Sequence, residues 1–189
     1  LTYVDDVKID NLTSTGTKQL LMFSSEVGKV EVTNSNIFCT DEYGPTISAL
    51  DNLSPVGNLL ISKTNFRGPL NIEGHSIERF VIDSCDFTNF FYNELENRQN
   101  VFYMKKEKFQ GEFYIKNSTF KQSYNNKKSV FIKNETNKSF YFMDNNVEFE
   151  FPRKVLIISG ENSISHVHNN KVVGVRKISN NMKSIKSGE

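Results

Sequence analysis

One eight-residue pattern, apolar–x–apolar–x–small polar–x–x–apolar, recurs along the chain and restricts what it can fold into. It first reads Val30-Glu31-Val32-Thr33-Asn34-Ser35-Asn36-Ile37. It returns over Leu59 to Phe66, Phe80 to Phe87, Phe113 to Phe120, Phe140 to Val147 and Ser165 to Val172, with a degenerate first copy at Val7 to Asn11. Period-two alternation is the signature of a strand, and the small polar residue after it supplies turn chemistry. The full copies start 21 to 33 residues apart, a period at which stacked solenoid coils are expected.

A second strand is expected about ten residues upstream of each copy, in keeping with short connections between strands. It is predicted at Leu20 and Met22, Leu70 and Ile72, Val101 and Tyr103, Val130 and Ile132, and Val155 and Ile157, with Ile47 and Ala49 slightly farther upstream in the third coil. Asn145-Asn146 and Asn169-Asn170 lead into third alternating segments at Val147 to Phe151 and Val172 to Val175. Strand, turn, strand, Asn-rich corner and strand make one coil of an all-β, right-handed parallel β-helix of six to seven coils. Residues 1–176 form its single domain, and 177–189 form a polar tail or linker. No coil can bury its inner face alone, so stacking should place Val32, Ile61, Ile82, Ile115, Phe142 and Val167 in one interior column. The corner residues Asn34, Asn117 and Asn169, alternating with Lys63, Ser84 and Asp144, are expected to form a partial amide ladder.

A leucine-rich-repeat solenoid is the competing fold. Ile77-x-x-Phe80-x-Ile82-x-x-Cys85-x-Phe87 fits its pattern, but Gln110 and Asn137 break the leading apolar position in later copies. Residues 88–100 are an insertion read as a loop pinned to the wall by Phe90, Phe91 and Leu95.

With 23 basic and 22 acidic residues the chain shows no nucleic-acid or anionic-membrane footprint. No apolar run approaches the roughly 20 residues of a membrane-spanning helix. The absence of a signal peptide and of an initiator Met points to a processed or excised piece. Cys39 and Cys85 fall two coils apart, which strains disulfide geometry, so they are read as thiols. Asn11, Asn117, Asn134 and Asn137 head N-x-[ST] sequons and are the candidate glycosylation sites, although so Asn- and Ser-rich a chain gives about four such matches by chance.

The repeat pattern from about residue 7 to 175 resembles the pectate-lyase-like right-handed β-helix group, which includes polysaccharide lyases, glycoside hydrolases and phage tailspikes. The resemblance implies a fold and not an activity. It also implies that any enzyme chemistry would sit on outward residues of neighbouring strands. The outward residues of the second strands, Glu31, Leu60, Val81, Tyr114, Tyr141 and His166, hold no pair of carboxylates in adjacent coils. Glycoside hydrolysis normally requires such a pair, and calcium requires more oxygens than are present. Gly74-His75-Ser76 and Arg176-Lys177 are similar to polygalacturonase motifs, but the paired aspartates of that family are missing. His166 and His168 lack a third zinc ligand at suitable spacing. The expectation is therefore a protein that is not an enzyme and carries no cofactor.

What stands out is apolar character on faces that should be wet. Phe102, Phe131 and Leu156, with Ile158 beside them, are predicted to form one outward column, and Tyr114, Tyr141 and His166 a second that continues Leu60 and Val81. Contiguous exposed apolar patches tend to mark interfaces. The expected function is an extracellular or cell-surface interaction module that binds a protein partner or its own copy through these residues. The alternative is a carbohydrate-active or sugar-binding β-helix, in which the tyrosines stack on sugar faces.

Overall fold

A computed structural model describes residues 3–15, 19–23, 26–38, 46–49, 55–67, 70–73, 77–88, 102–104, 111–122, 132–134, 136, 138–159, 163–179 and 182–184. All of its strand pairs are parallel, and they form two sheets. The first sheet stacks eight strands in chain order: β1 (Tyr3–Asp10), β4 (Glu26–Thr33), β7 (Val56–Ser62), β10 (Ile77–Asp83), β13 (Glu112–Lys116), β16 (Phe140–Met143), β18 (Ser165–His168) and β20 (Met182–Ser184).

The second sheet has two arms. One runs through β2 (Thr13–Thr15), β5 (Asn36–Phe38), β8 (Asn65–Arg67), β11 (Asp86–Thr88) and β14 (Thr119–Gln122). The other runs through β3 (Gln19–Phe23), β6 (Thr46–Ala49), β9 (Leu70–Glu73), β12 (Phe102–Met104) and β15 (Ile132–Asn134). The arms meet in the 14-residue strand β17 (Asn146–Ser159), which also pairs with β19 (Lys171–Ser179). This is a parallel β-solenoid. The leucine-rich-repeat alternative fails because both faces of every turn are sheet.

The eight-residue pattern maps onto the first sheet, the corner and the first arm. Val32, Ile61, Ile82, Ile115, Phe142 and Val167 stand in register as one interior column, and the first five are wholly buried. The last apolar residue of each copy makes a second column, from Ile37 through Phe66, Phe87 and Phe120 to Val147. Stacking identical rings at the strand spacing gives face-to-face pairs: Phe66–Phe87 at 4.8 Å and Phe87–Phe120 at 4.7 Å between centroids. The two sheets share one core, since Phe120 of one meets Phe142 of the other at 5.8 Å.

The expected count of six to seven coils is corrected. Four turns, from β4 round to β16, carry apolar residues at the inward positions of every first-sheet strand, none more than 5% exposed. The strands beyond continue the pairing with a different interior. In β18 the first inward residue is Ser165, whose hydroxyl lies 2.7 Å from Ser159 Oγ and accepts a bond from Ser179 Oγ at 3.1 Å. All three are buried. Pairing also runs past residue 176: β19 extends to Ser179, and β20 stacks on β18 through Ser165–Met182 and His166–Lys183. Those paired residues are part of the sheets.

Each first-sheet strand from β1 to β18 leaves through one residue in the left-handed region: Asn11, Asn34, Lys63, Ser84, Asn117, Asp144 and Asn169, with φ from 48° to 58°. Asn and Asp tolerate this conformation better than most residues. Their N–H groups bond the next turn, as in Asn34 N to Ser62 O at 3.3 Å and Asp144 N to His168 O at 3.0 Å.

The expected ladder is not at these exposed corners but one residue later, at Ser35, Thr64, Cys85, Ser118, Asn145 and Asn170. Ser35, Thr64 and Ser118 donate to the carbonyl two residues back at 2.7, 2.9 and 2.8 Å, and the Cys85 thiol bonds Asp83 O at 3.4 Å. Neighbouring turns are then linked through side chains. Cys85 N donates to Ser118 Oγ (3.1 Å), Ser118 N to Asn145 Oδ1 (2.9 Å) and Asn145 N to Asn170 Oδ1 (2.9 Å). Buried polar groups must be paired, and this ladder pairs the N–H groups that the corner removes from the sheets. Cys85 is a free thiol inside it, and burial pushes its pKa up to about 12. Cys39 and the insertion from 89 to 100 lie outside the described residues.

Candidate functional site

The outward residues of the first sheet form columns as fixed as the inward ones, because side chains alternate across a strand. One column runs Lys8, Glu31, Leu60, Val81, Tyr114, Tyr141, His166. From Leu60 to His166 every member is apolar or aromatic and every one is partly exposed. The structure therefore brings Tyr114, Tyr141 and His166 together as a continuation of Leu60 and Val81.

The rings form a stack. Tyr114 and Tyr141 lie 4.4 Å apart at 8°, and Tyr141 and His166 lie 4.7 Å apart at 11°. The Arg79 guanidinium sits 5.0 Å from the Tyr114 centroid, within cation–π range. The Tyr114 hydroxyl donates to Glu112 Oε2 at 2.8 Å. Burial, aided by this bond and the nearby carboxylate, pushes its pKa up to about 12, so the phenol stays a donor. Both faces of Tyr141 are occupied by neighbouring rings, and the stack presents edges outward.

A polar row runs beside the column. Asp83 takes bonds from Asn117 Nδ2 at 2.9 Å and Ser84 Oγ at 3.0 Å, and pairs with Lys116 Nζ at 3.0 Å. Partial burial works to raise its pKa, but these donors outweigh it and hold the carboxyl below its ordinary value. A carboxyl whose pKa is depressed by folding contributes stability above its unfolded pKa and loses it as pH falls through the folded one. We predict that Asp83→Asn lowers the melting temperature slightly at neutral pH. The gap to wild type should close below the ordinary carboxylate range, and a gap that persists in acid would discount the ionic contribution.

The side chains of the other predicted column, Phe102, Phe131, Leu156 and Ile158, lie outside the described residues. In the backbone register Phe102 pairs with Leu70 and with Ile132, which pairs Ile157, so it is one residue out of step with Leu156. Ile158 pairs with Lys133 on β15. Phe131 lies outside the described residues.

Of the sequon residues, Asn11 and Asn117 occupy exposed corners. Asn134 is 1% exposed, and its Nδ2 donates to Lys138 O and Ser163 Oγ. Asn137 lies outside the described residues.

Among the described residues no three His, Cys, Asp or Glu side chains gather as a metal site. His166 and His168 both face outward on β18. Sequence reasoning missed the buried ladder and the serine-lined interior. The signal for the ladder was the small polar residue at the sixth place of each repeat.

The chain matches no protein-family model, no curated protein and no solved structure.

Proposed function

We propose that this solenoid is a binding module that contacts a protein partner, a second copy of the chain included, through the outward face of its first sheet. The observation that carries the reading is the unbroken, half-exposed column Leu60, Val81, Tyr114, Tyr141, His166. Five rungs at about 4.8 Å span about 20 Å, and contiguous exposed apolar patches tend to mark interaction sites. A column one side chain wide offers less than the roughly 800 Å² each partner buries in a stable complex, which favours a transient contact or one strengthened by several copies. A cell-surface or extracellular location is part of the same proposal, supported by the exposed sequon residues Asn11 and Asn117.

The resemblance to pectate-lyase-like β-helices, which rests on the repeat pattern, brings a sugar-binding reading as the alternative. The ring stack counts against it. Sugars dock on open aromatic faces, and Tyr141 has none free.

Tyr141→Glu tests the proposal. Association measured by light scattering, or by photo-crosslinking from position 81, should weaken at least about tenfold, as expected when a charge enters a desolvated contact. The variant should stay folded, because it loses ring contacts of about 0.5–1.5 kcal/mol each. Unchanged association and crosslinking would sink the protein-interface reading. Retention on a panel of acidic glycans that Tyr141→Glu abolishes would replace it with the sugar-binding one.

A further inference from the structure

The rows on either side of the apolar column carry four charges around its middle, and their signs alternate. Arg79 and Glu112 are neighbours across β10 and β13 in the row before the column, and Asp83 and Lys116 are neighbours in the row after it. All four share the outward face of Val81 and Tyr114, because the residues between them, such as Phe80 and Ile115, are buried. Arg79 and Glu112 are exposed, and Asp83 and Lys116 are half-buried. The column itself holds them in place. Arg79 lies over the Tyr114 ring, Glu112 accepts from the Tyr114 hydroxyl, and Lys116 pairs with Asp83.

This checkerboard is its own complement. We infer, building on the lateral-face reading above, that the partner is a second copy of this chain, related by a two-fold axis that runs along the strands between β10 and β13. The second stack then runs in the opposite sense, and β10 of each copy faces β13 of the other. Arg79 meets Glu112, Asp83 meets Lys116 and Val81 meets Tyr114, each twice. Farther from the axis, Leu60 meets Tyr141 and Glu31 meets His166. Each central charge faces its opposite, and the apolar residues face one another.

Charge decides where the axis lies. Centred on β10 it would set Arg79 against Arg79, and centred on β13 Glu112 against Glu112, and like charges across a contact are costly. A two-fold along the stack would also match the four charges, Arg79 with Asp83 and Glu112 with Lys116, but it sets Glu31 against its own copy. The axis along the strands keeps the facing strands aligned, as packed sheets favour. A two-fold contact uses the same patch on both copies and closes on itself, so assembly stops at a dimer.

Light scattering of the 189-residue chain over a concentration series tests this. Mass should rise with concentration and level off at two copies. Arg79→Glu and Glu112→Arg should each weaken the dimer about tenfold or more, since each variant sets two like-charged pairs across the contact. Mixing the two variants should restore the dimer, because every central contact in the mixed pair again joins opposite signs. Both variants place like charges side by side within one chain, so recovery on mixing can only be intermolecular. Circular dichroism checks folding, and Asp83→Lys mixed with Lys116→Asp repeats the test in the other row if a variant fails to fold.

A wild type that stays monomeric throughout the series would overturn the inference, and the lateral-face reading would then rest on crosslinking from position 81 to another protein. Masses beyond two copies, or variants that weaken the dimer without recovery on mixing, would overturn it as well. A dimer lost in Tyr141→Glu but indifferent to the charge variants would overturn the two-fold placement and leave the lateral face in use. A dimer indifferent to all three would sink both readings.

Discussion

Asn145→Leu should destabilise the protein by about 2–5 kcal/mol, although the replacement is nearly isosteric and adds apolar volume. Asn145 is 2% exposed. Its Oδ1 accepts from Ser118 N, and its Nδ2 donates to Ile115 O at 3.0 Å and to Asn170 Oδ1 at 3.0 Å. Leucine removes all three bonds and strands the Ser118 N–H and the Ile115 carbonyl, and an unsatisfied buried group costs about 1–3 kcal/mol. Against a usual total of about 5–15 kcal/mol this is a large fraction. At about 2–4 °C per kcal/mol for a chain of this length, the melting temperature should fall by about 10 °C. Asp144→Ala is the control: it changes the adjacent exposed corner, leaves the ladder alone and should cost far less. Urea unfolding of both variants decides the matter. Equal losses in the two would mean that the buried ladder contributes nothing beyond the corner geometry.

Phe113→Ala is the second variant expected to have a large effect, for a reason of packing. Phe113 is 1% exposed and sits between Phe80, at 5.0 Å and 11°, and Phe140, at 5.1 Å and 46°. Removing a buried phenylalanine costs about 3–5 kcal/mol through lost transfer energy and the cavity left behind. In a stack where each rung touches only its neighbours, the loss should also be local. Amide exchange should accelerate most in β10, β13 and β16 and least in β1. Uniform acceleration along the chain would show that the solenoid opens as one block.

Much of this architecture was legible because the repeat fixes parity. Val30, Val32 and Ile37 are separated by polar residues, so only one face of that strand can be inward, and the strand register carries that parity to Phe80 and Ile82, where the residue between, Val81, is apolar. The second-sheet arm lacks that punctuation. Val101-Phe102-Tyr103-Met104 has no polar residue to choose between its faces, and a one-residue slip moves every side chain to the other side. The backbone register pairs Tyr103 with Asn71 and Lys133, and Phe102 with Leu70 and Ile132.

The ladder was misplaced by one residue for a related reason. Asn and Ser suit both an exposed left-handed corner and a buried hydrogen-bonding position, and at Asn34-Ser35 or Asn169-Asn170 both places hold such residues. Only the three-dimensional turn decides which is buried. The Tyr114–Tyr141–His166 column was readable because β13, β16 and β18 all carry clean inward neighbours. That the rings cover one another's faces was not, since it depends on side-chain rotation.

The serine-lined interior beneath β18 gives the molecule a mechanical polarity. Between β4 and β16, parting two rungs exposes stacked phenylalanines and aliphatic side chains, whereas at Ser159, Ser165 and Ser179 it exposes hydroxyls that water readily takes up. Among the described residues, tension along the axis should therefore meet a weaker joint at β18 than between β4 and β16.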